Sequence, residues 1–291
     1  MTLWQRAKGW IANPWGRPRV LAAVTWMYIL WSIVPILVAI QFSFNKSGSP
    51  TIWQGFSTQW YWGDDYSVWG DPGLQSALFQ SLRLAVLDVA IAVPLGALLA
   101  LGLNRWHGRG SGVFNVLALL PFAVPQLVLG VALFLVITQV ATFIHTGTLA
   151  QLLGHVTFSL PYVALIVRGR LLLIGREYEE AAADLGASPS QTVRFVLLPL
   201  LLPAIIASLT ITFALSLDNF VISYYLSCGA GCDTVPVVVY NSARGGPSPS
   251  ANAIASLTAG VTLITLTTGF LLYRLTSHGQ SLLSNRRAPK R

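Results

Sequence analysis

Two carboxylates, Asp88 and Asp218, sit inside long apolar stretches of this chain. An aspartate facing lipid at mid-membrane costs about 3 kcal/mol on insertion scales. Each must therefore face other protein or water. Arg83 is the third charge so placed. Around Asp218, residues Ser208, Thr212, Ser216 and Asn219 recur at about one helical turn and form a polar stripe, with Asp218 turned about 100° from Asn219. One acid beside hydroxyls and a carboxamide gives a passing cation weak, reversible attraction. Thr212, Ser216, Asp218, Asn219 and Asp88 are therefore the candidates for a translocation path. The competing expectation is structural, with Asp218 paired to Arg83.

Other chemistries lack their motifs. No G-x4-G-K-[ST] loop, H-E-x-x-H helix or G-x-S-x-G elbow occurs, so no nucleotide binding or hydrolysis is expected of this chain. The two cysteines, Cys228 and Cys232, make no C-x-x-C pair, and the histidines do not cluster, so neither a metal site nor a cofactor is expected. Whether the cysteines are bridged is open at this point. His155 stands alone and is expected to be a cap or an interfacial residue.

The elements that must position these groups are membrane helices. Of 291 residues 54% are hydrophobic and 10% charged, against about 25% charged in a soluble domain. The reading is an all-α integral membrane protein with six spans: Val20–Phe44, Ala77–Leu103, Val113–Thr138, Leu152–Leu173, Leu198–Tyr224 and Ala251–Tyr273. No cleavable signal is expected, because the apolar run from Val20 is too long for a signal core. Residues 1–19, basic and rich in tryptophan, suit the membrane interface or a disordered tail. Residues 20–275 form the membrane domain, and 276–291 a basic tail. The loop 45–76 carries Trp53, Phe56, Trp60, Tyr61, Trp62, Tyr66 and Trp69, either an interfacial belt or part of a surface that receives an external binding protein, with the belt as the expectation. Pro121 and Pro125 mark a bend in the third span. Thr258, Thr262 and Thr265 give the sixth a face for close packing.

The net charge of +8 could suggest nucleic acid, but its distribution argues for none as a partner. Six spans place both termini on one side, and that side holds fifteen of the eighteen Lys and Arg; the others are Lys46, Arg83 and Arg244. The positive-inside rule then puts the termini in the cytoplasm, together with the polar stretch 176–197.

That stretch reads as two short helices about a sharp turn. Glu177, Glu179 and Glu180 open the first, where acids complement the helix dipole. Tyr178, Ala181, Ala182 and Leu185 fall on one small apolar face. Gly186 suits the left-handed residue that ends such a helix. Ser188, Pro189 and Gln191 then supply a cap, a first-turn proline and a capping box.

Glu180-Ala181-Ala182, then Gly186, then Val196-Leu197-Leu198-Pro199 resembles the EAA loop of bacterial ABC importer permeases, E-A-A-x3-G-x9-I-x-L-P, with valine for isoleucine as the one departure. The resemblance implies a cytoplasmic loop docking into a cleft of a separate ATP-binding subunit, through Tyr178, Glu180, Ala181, Ala182, Leu185 and Gly186. A second similarity, over roughly residues 80–275, is to spermidine/putrescine-type permeases. It rests on Leu215–Ile222, Val235-Pro236, Tyr240-Asn241-Ser242, Arg244-Gly245 and Pro247-x-Pro249-x-x-Asn252-Ala253. Asn219 stands where an acid is common, which weakens the case for a strongly dicationic site, and the Cys228–Cys232 insert is atypical. Together they imply a permease of the bacterial inner membrane importing polyamines or a related organic cation. Its partners would be membrane lipid, a second homologous permease, two ATP-binding subunits and an external solute-binding protein. The alternatives are an ABC permease for another solute, a gradient-driven transporter and a membrane-embedded enzyme.

Overall fold

The computed structural model describes residues 19–49, 52–105, 108, 112–113, 116, 124–245 and 248–285, with side chains described from 21 to 277 of these. The basic and tryptophan-rich residues 1–18, His107, Arg109, Pro121, Pro247 and the last six residues lie outside them. The described residues are nearly all helical, and the one β-bridge is isolated, Asn45 with Phe56.

Helix α1 (Arg19–Ser43) and α2 (Pro72–Arg105) are followed by α3 (Gln126–Leu135), which runs on as a π-turn, Val136–Val140. Next come α4 (Thr148–Ile174), α5 (Glu177–Asp184) and α6 (Pro189–Thr192). A second π-turn, Val193–Leu197, joins α6 to α7 (Leu198–Leu217). Then follow α8 (Val221–Leu226), α9 (Val235–Gly245) and α10 (Pro249–Asn285). Five helical stretches are long and apolar enough to cross a membrane, Leu21–Ser43, Pro72–Arg105, Thr148–Ile174, Pro189–Leu217 and Pro249–Ser277, and Gln126–Val140 is a shorter apolar one. Six spans are compatible with this, the third being described only in its second half.

The core is α2, α4 and α7 packed on one another, with α10 against α7 and α1 against α10. Lipid offers helices no hydrophobic drive to associate, so close packing at small residues must do it. At Gly96 of α2 a Cβ would come within 2.6 Å of Val163 Cβ on α4, and at Gly269 of α10 it would overlap Thr210 of α7. Val93, Ala100, Val163, Val167, Leu171, Leu197 and Leu201 fill the space between α2, α4 and the start of α7. In contrast, α1 leaves Trp26, Met27, Tyr28 and Trp31 exposed along its length.

Three features depart from the sequence reading. The fifth span ends at Leu217, not Tyr224, because the chain breaks at Asp218-Asn219 and restarts as α8, with Asn219 Oδ1 accepting from Ile222 N at 3.1 Å. Asp and Asn favour such local side-chain bonds over a continued helix. The aromatic loop is only in part a belt. Trp53, Trp62, Tyr66 and Trp69 are exposed, whereas Trp60 and Tyr61 are buried with Val68, Leu74, Val235 and Ile254. Trp60 Nε1 donates to Asn45 O at 2.6 Å, and Tyr61 Oη shares a 2.8 Å bond with Ser43 Oγ, so the loop is folded onto the end of the bundle. Lastly, the loop after the fifth span contains a helix, α9.

Candidate functional site

The backbone of the turn at Glu177–Thr192 is shaped largely by its own residues. Helix α5 opens on Glu177, Glu179 and Glu180 and ends at Gly186, whose φ of +80° no branched residue adopts without strain. Ala187 N donates to Ala182 O at 3.0 Å and Gly186 N to Ala183 O at 2.8 Å, the paired bonds of a Schellman ending. Ser188 then caps α6 reciprocally: its Oγ accepts from Gln191 N, and its N donates to Gln191 Oε1 at 2.8 Å. Pro189 occupies the first turn, as its missing N–H allows.

The expected apolar face divides in two. Ala182 is buried toward the bundle, and Glu179 pairs with Arg105 at the end of α2, 2.7 Å apart. Tyr178, Glu180, Ala181 and Leu185 are exposed, Leu185 to 89%. Thus one side of α5 is held to its own chain and the other presents a leucine, a tyrosine and a carboxylate outward. α6 runs through the π-turn into α7 as one stretch, Pro189–Leu217, so the turn and the fifth span are continuous.

The polar residues of the spans meet in the bundle interior. Asp88 is fully buried on α2, and its Oδ2 accepts from Ser159 Oγ of α4 at 2.7 Å. One turn earlier on α4, buried His155 bridges two helices: Nδ1 to Ser216 Oγ of α7, 2.7 Å, and Nε2 to Ser223 Oγ of α8, 3.0 Å. A neutral imidazole satisfies both with one N–H and one lone pair. One turn earlier again, Gln151 Nε2 donates to the carbonyls of Ser223 and Cys232, at 3.0 and 2.9 Å, and its Oε1 accepts from Gln80 Nε2 of α2 at 2.8 Å. The result is one polar seam through α2, α4, α7 and α8.

Of the path candidates, Asp88, Thr212, Ser216 and Asn219 are buried within this chain and Asp218 is exposed. The structure joins Asp88 and Ser216 to the seam through Ser159 and His155. Asp218 and the exposed Arg83 form no ion pair. His155 is neither a cap nor interfacial, which corrects the sequence reading. Its partners had a signal, since Gln151, His155 and Ser159 recur every four residues and so share one helix face. Beyond Asp218 the rings of Phe220, Tyr224 and Tyr240 cluster, with centroids 4.7 to 5.8 Å apart, and the Arg244 guanidinium lies 5.1 Å from the Tyr240 ring centre. Cys228 and Cys232 are disulfide-bonded.

A bundle of this topology with an outward-facing helical turn is the form of an ABC importer permease, and the comparisons agree. The chain belongs to the family of binding-protein-dependent transport system inner membrane components, whose model matches residues 92–280. It is 34% identical over 275 residues to the putrescine transport system permease protein PotI of Escherichia coli K12, covering 93% of each chain. It is 31% identical over 248 residues to the spermidine/putrescine permease protein PotC of the same organism, covering 85% of this chain and 91% of that one. Among solved structures, a bacterial ABC transporter that imports the acidic polysaccharide alginate superposes with a TM-score of 0.71 at 17% identity, over 94% of this chain and 98% of that chain.

Proposed function

We propose that this permease imports polyamines or a related organic cation across the bacterial cytoplasmic membrane, with both termini on the cytoplasmic side. The observation that carries the cargo is Asp218, exposed where α7 breaks and followed directly by the cluster of Phe220, Tyr224 and Tyr240. A carboxylate beside aromatic faces suits an ammonium group, which is drawn both to charge and to ring quadrupoles. Tyr240 already has a guanidinium over it. The likeness to PotI and PotC over most of the chain supports the same cargo class. In this reading Asp218 meets the solute, while Asp88, Thr212, Ser216 and Asn219 hold the helices beside the path.

The complex comprises this chain, a second homologous permease, two ATP-binding subunits and an external solute-binding protein. Tyr178, Glu180, Ala181, Ala182, Leu185 and Gly186 form the docking element, with Tyr178, Ala181 and Leu185 entering the ATPase cleft. ATP binding closes the ATPase pair, and the continuous Pro189–Leu217 stretch converts that motion into rotation of the fifth span. The asymmetry of Lys and Arg supports the orientation. Impermeant thiol labelling of Ser190→Cys in open membranes but not intact cells checks it, and labelling in intact cells would reverse it.

The deciding experiment co-purifies the complex with its binding protein and screens solutes for stimulation of ATP hydrolysis. Diamines and triamines are expected to stimulate. Stimulation by a neutral or anionic solute alone would give the cargo to the alternative reading, another solute on the same machinery.

A further inference from the structure

A cavity of about 530 Å³ opens at the Pro72 end of α2. At ~1.5 Å per residue along the 34 residues of α2, it lies some 50 Å from the Arg105–Glu179 pair beneath the docking helix. Its walls come from four places in the sequence: the aromatic loop, the start of α2, the disulfide loop and α9 with the start of α10. The charged residues lining it are two carboxylates, Asp71 and Asp233. Trp60 and Tyr66 add aromatic surface, and Ser242 and Ser250 add hydroxyls.

Both carboxylates are held in place by one oxygen. Asp71 Oδ1 accepts from Gly73 N at 2.7 Å, at the start of α2, and Asp233 Oδ1 accepts from Ser227 Oγ at 2.6 Å. That leaves each carboxyl group a second oxygen to offer. Asp233 follows directly on Cys232, whose disulfide to Cys228 closes the loop that supplies Ala230 and Gly231 to the wall. The backbone of Cys232 is tied by Gln151 into the polar seam. A concave site with few, fixed, convergent polar groups on aromatic walls is the form of a small-ligand pocket. Among the described residues the lining holds two carboxylates and no cation, which favours a positive ligand.

We propose that this cavity is a second organic-ammonium site, at the end of the molecule opposite the docking helix and separate from Asp218. Asp71 and Asp233 receive amine groups, and Trp60 and Tyr66 cover the carbon chain. Its place beside α9 suits it to hold the solute before it reaches Asp218. Val238 and Ser242 of α9 line the cavity, whereas Tyr240 of the same helix stacks in the ring cluster after Asp218. The proposal rests on the organic-cation reading above.

The test uses the full transporter in proteoliposomes, with 1,4-diaminobutane as probe, and Asp71→Asn, Asp233→Asn and the double variant. Asparagine keeps the accepting oxygen for Gly73 N and for Ser227 Oγ, so each variant loses charge and not its anchoring bond. Co-purification of all subunits checks assembly. The expected result is a rise in KM for uptake of at least tenfold in the double variant and a smaller rise in each single one, with Asp71→Glu restoring most of the loss in the Asp71 variant. A double variant that assembles and keeps the parental KM overturns the cavity site while leaving the organic-cation reading intact. A parental complex that imports no diamine but does import another class of solute overturns that reading, and this site with it.

Discussion

The backbone of the turn at Glu177–Thr192 is closed by bonds between residues no more than five positions apart, with the Glu179–Arg105 pair as its long-range tie. The seam through the bundle ties residues 61 to 81 positions apart: His155 to Ser216, Asp88 to Ser159, Gln151 to Cys232. A locally closed motif keeps its shape without its neighbours and can be moved as one piece, as the proposed coupling role requires. The seam exists only when four helices are assembled. In a low-dielectric interior such members are costly when unpaired, so the bonds among them favour the packing that makes them. The difference predicts that damage to the turn abolishes coupling without unfolding, while damage to the seam loosens the bundle first.

Gly186→Val should have the largest effect on transport. Open space surrounds Gly186, so the penalty is conformational: a β-branched side chain at φ +80° costs on the order of 1–3 kcal/mol and re-aims α5. Uptake should fall to background while membrane insertion and thermal stability stay near parental. Full transport, or a collapse of insertion, would break the comparison.

Asp218→Asn comes next. Its carboxylate is exposed and forms no ion pair with Arg83, so removing the charge leaves no buried arginine stranded. Uptake of a cationic solute should drop about tenfold, the scale of ~1.4 kcal/mol in attraction, with assembly preserved as judged by co-purification. Uptake at the parental rate would remove Asp218 from the path.

His155→Leu tests the seam. Leucine fills the space but leaves Ser216 and Ser223 without their bridge, at about 1–3 kcal/mol for each buried group left unpaired. In detergent the variant should melt several degrees lower while its docking turn still binds the ATPase. An unchanged melting temperature would show that the seam contributes nothing net.

The smallest effect belongs to Glu179→Gln. Its pair with Arg105 is partly exposed, and such pairs contribute about 0–1 kcal/mol. Transport should stay within twofold and stability within a degree or two. A severe loss would mean that this pair, and not Ala182, anchors α5.

The backbone of the turn at Glu177–Thr192 could be read from the sequence because its acids, glycine, cap and proline act locally, whereas which side of α5 is buried could not. The spans could be read because length and apolarity alone satisfy a bilayer. Where the chain would stop being helical was harder. By apolarity Asp218-Asn219 belongs to a 27-residue run, but the Asn219 carboxamide bonds to Ile222 N, a local event that competes with helix on nearly equal terms. What a polar residue in a span faces could not be read from the sequence at all. His155 seemed solitary because its partners lie on α7 and α8. Trp60 looked like a belt residue because burial depends on how the loop folds back over α2, α9 and α10. Helical spacing assigns a residue to a face of its own helix. Only the packing of helices decides whether that face meets lipid, solute or another polar side chain.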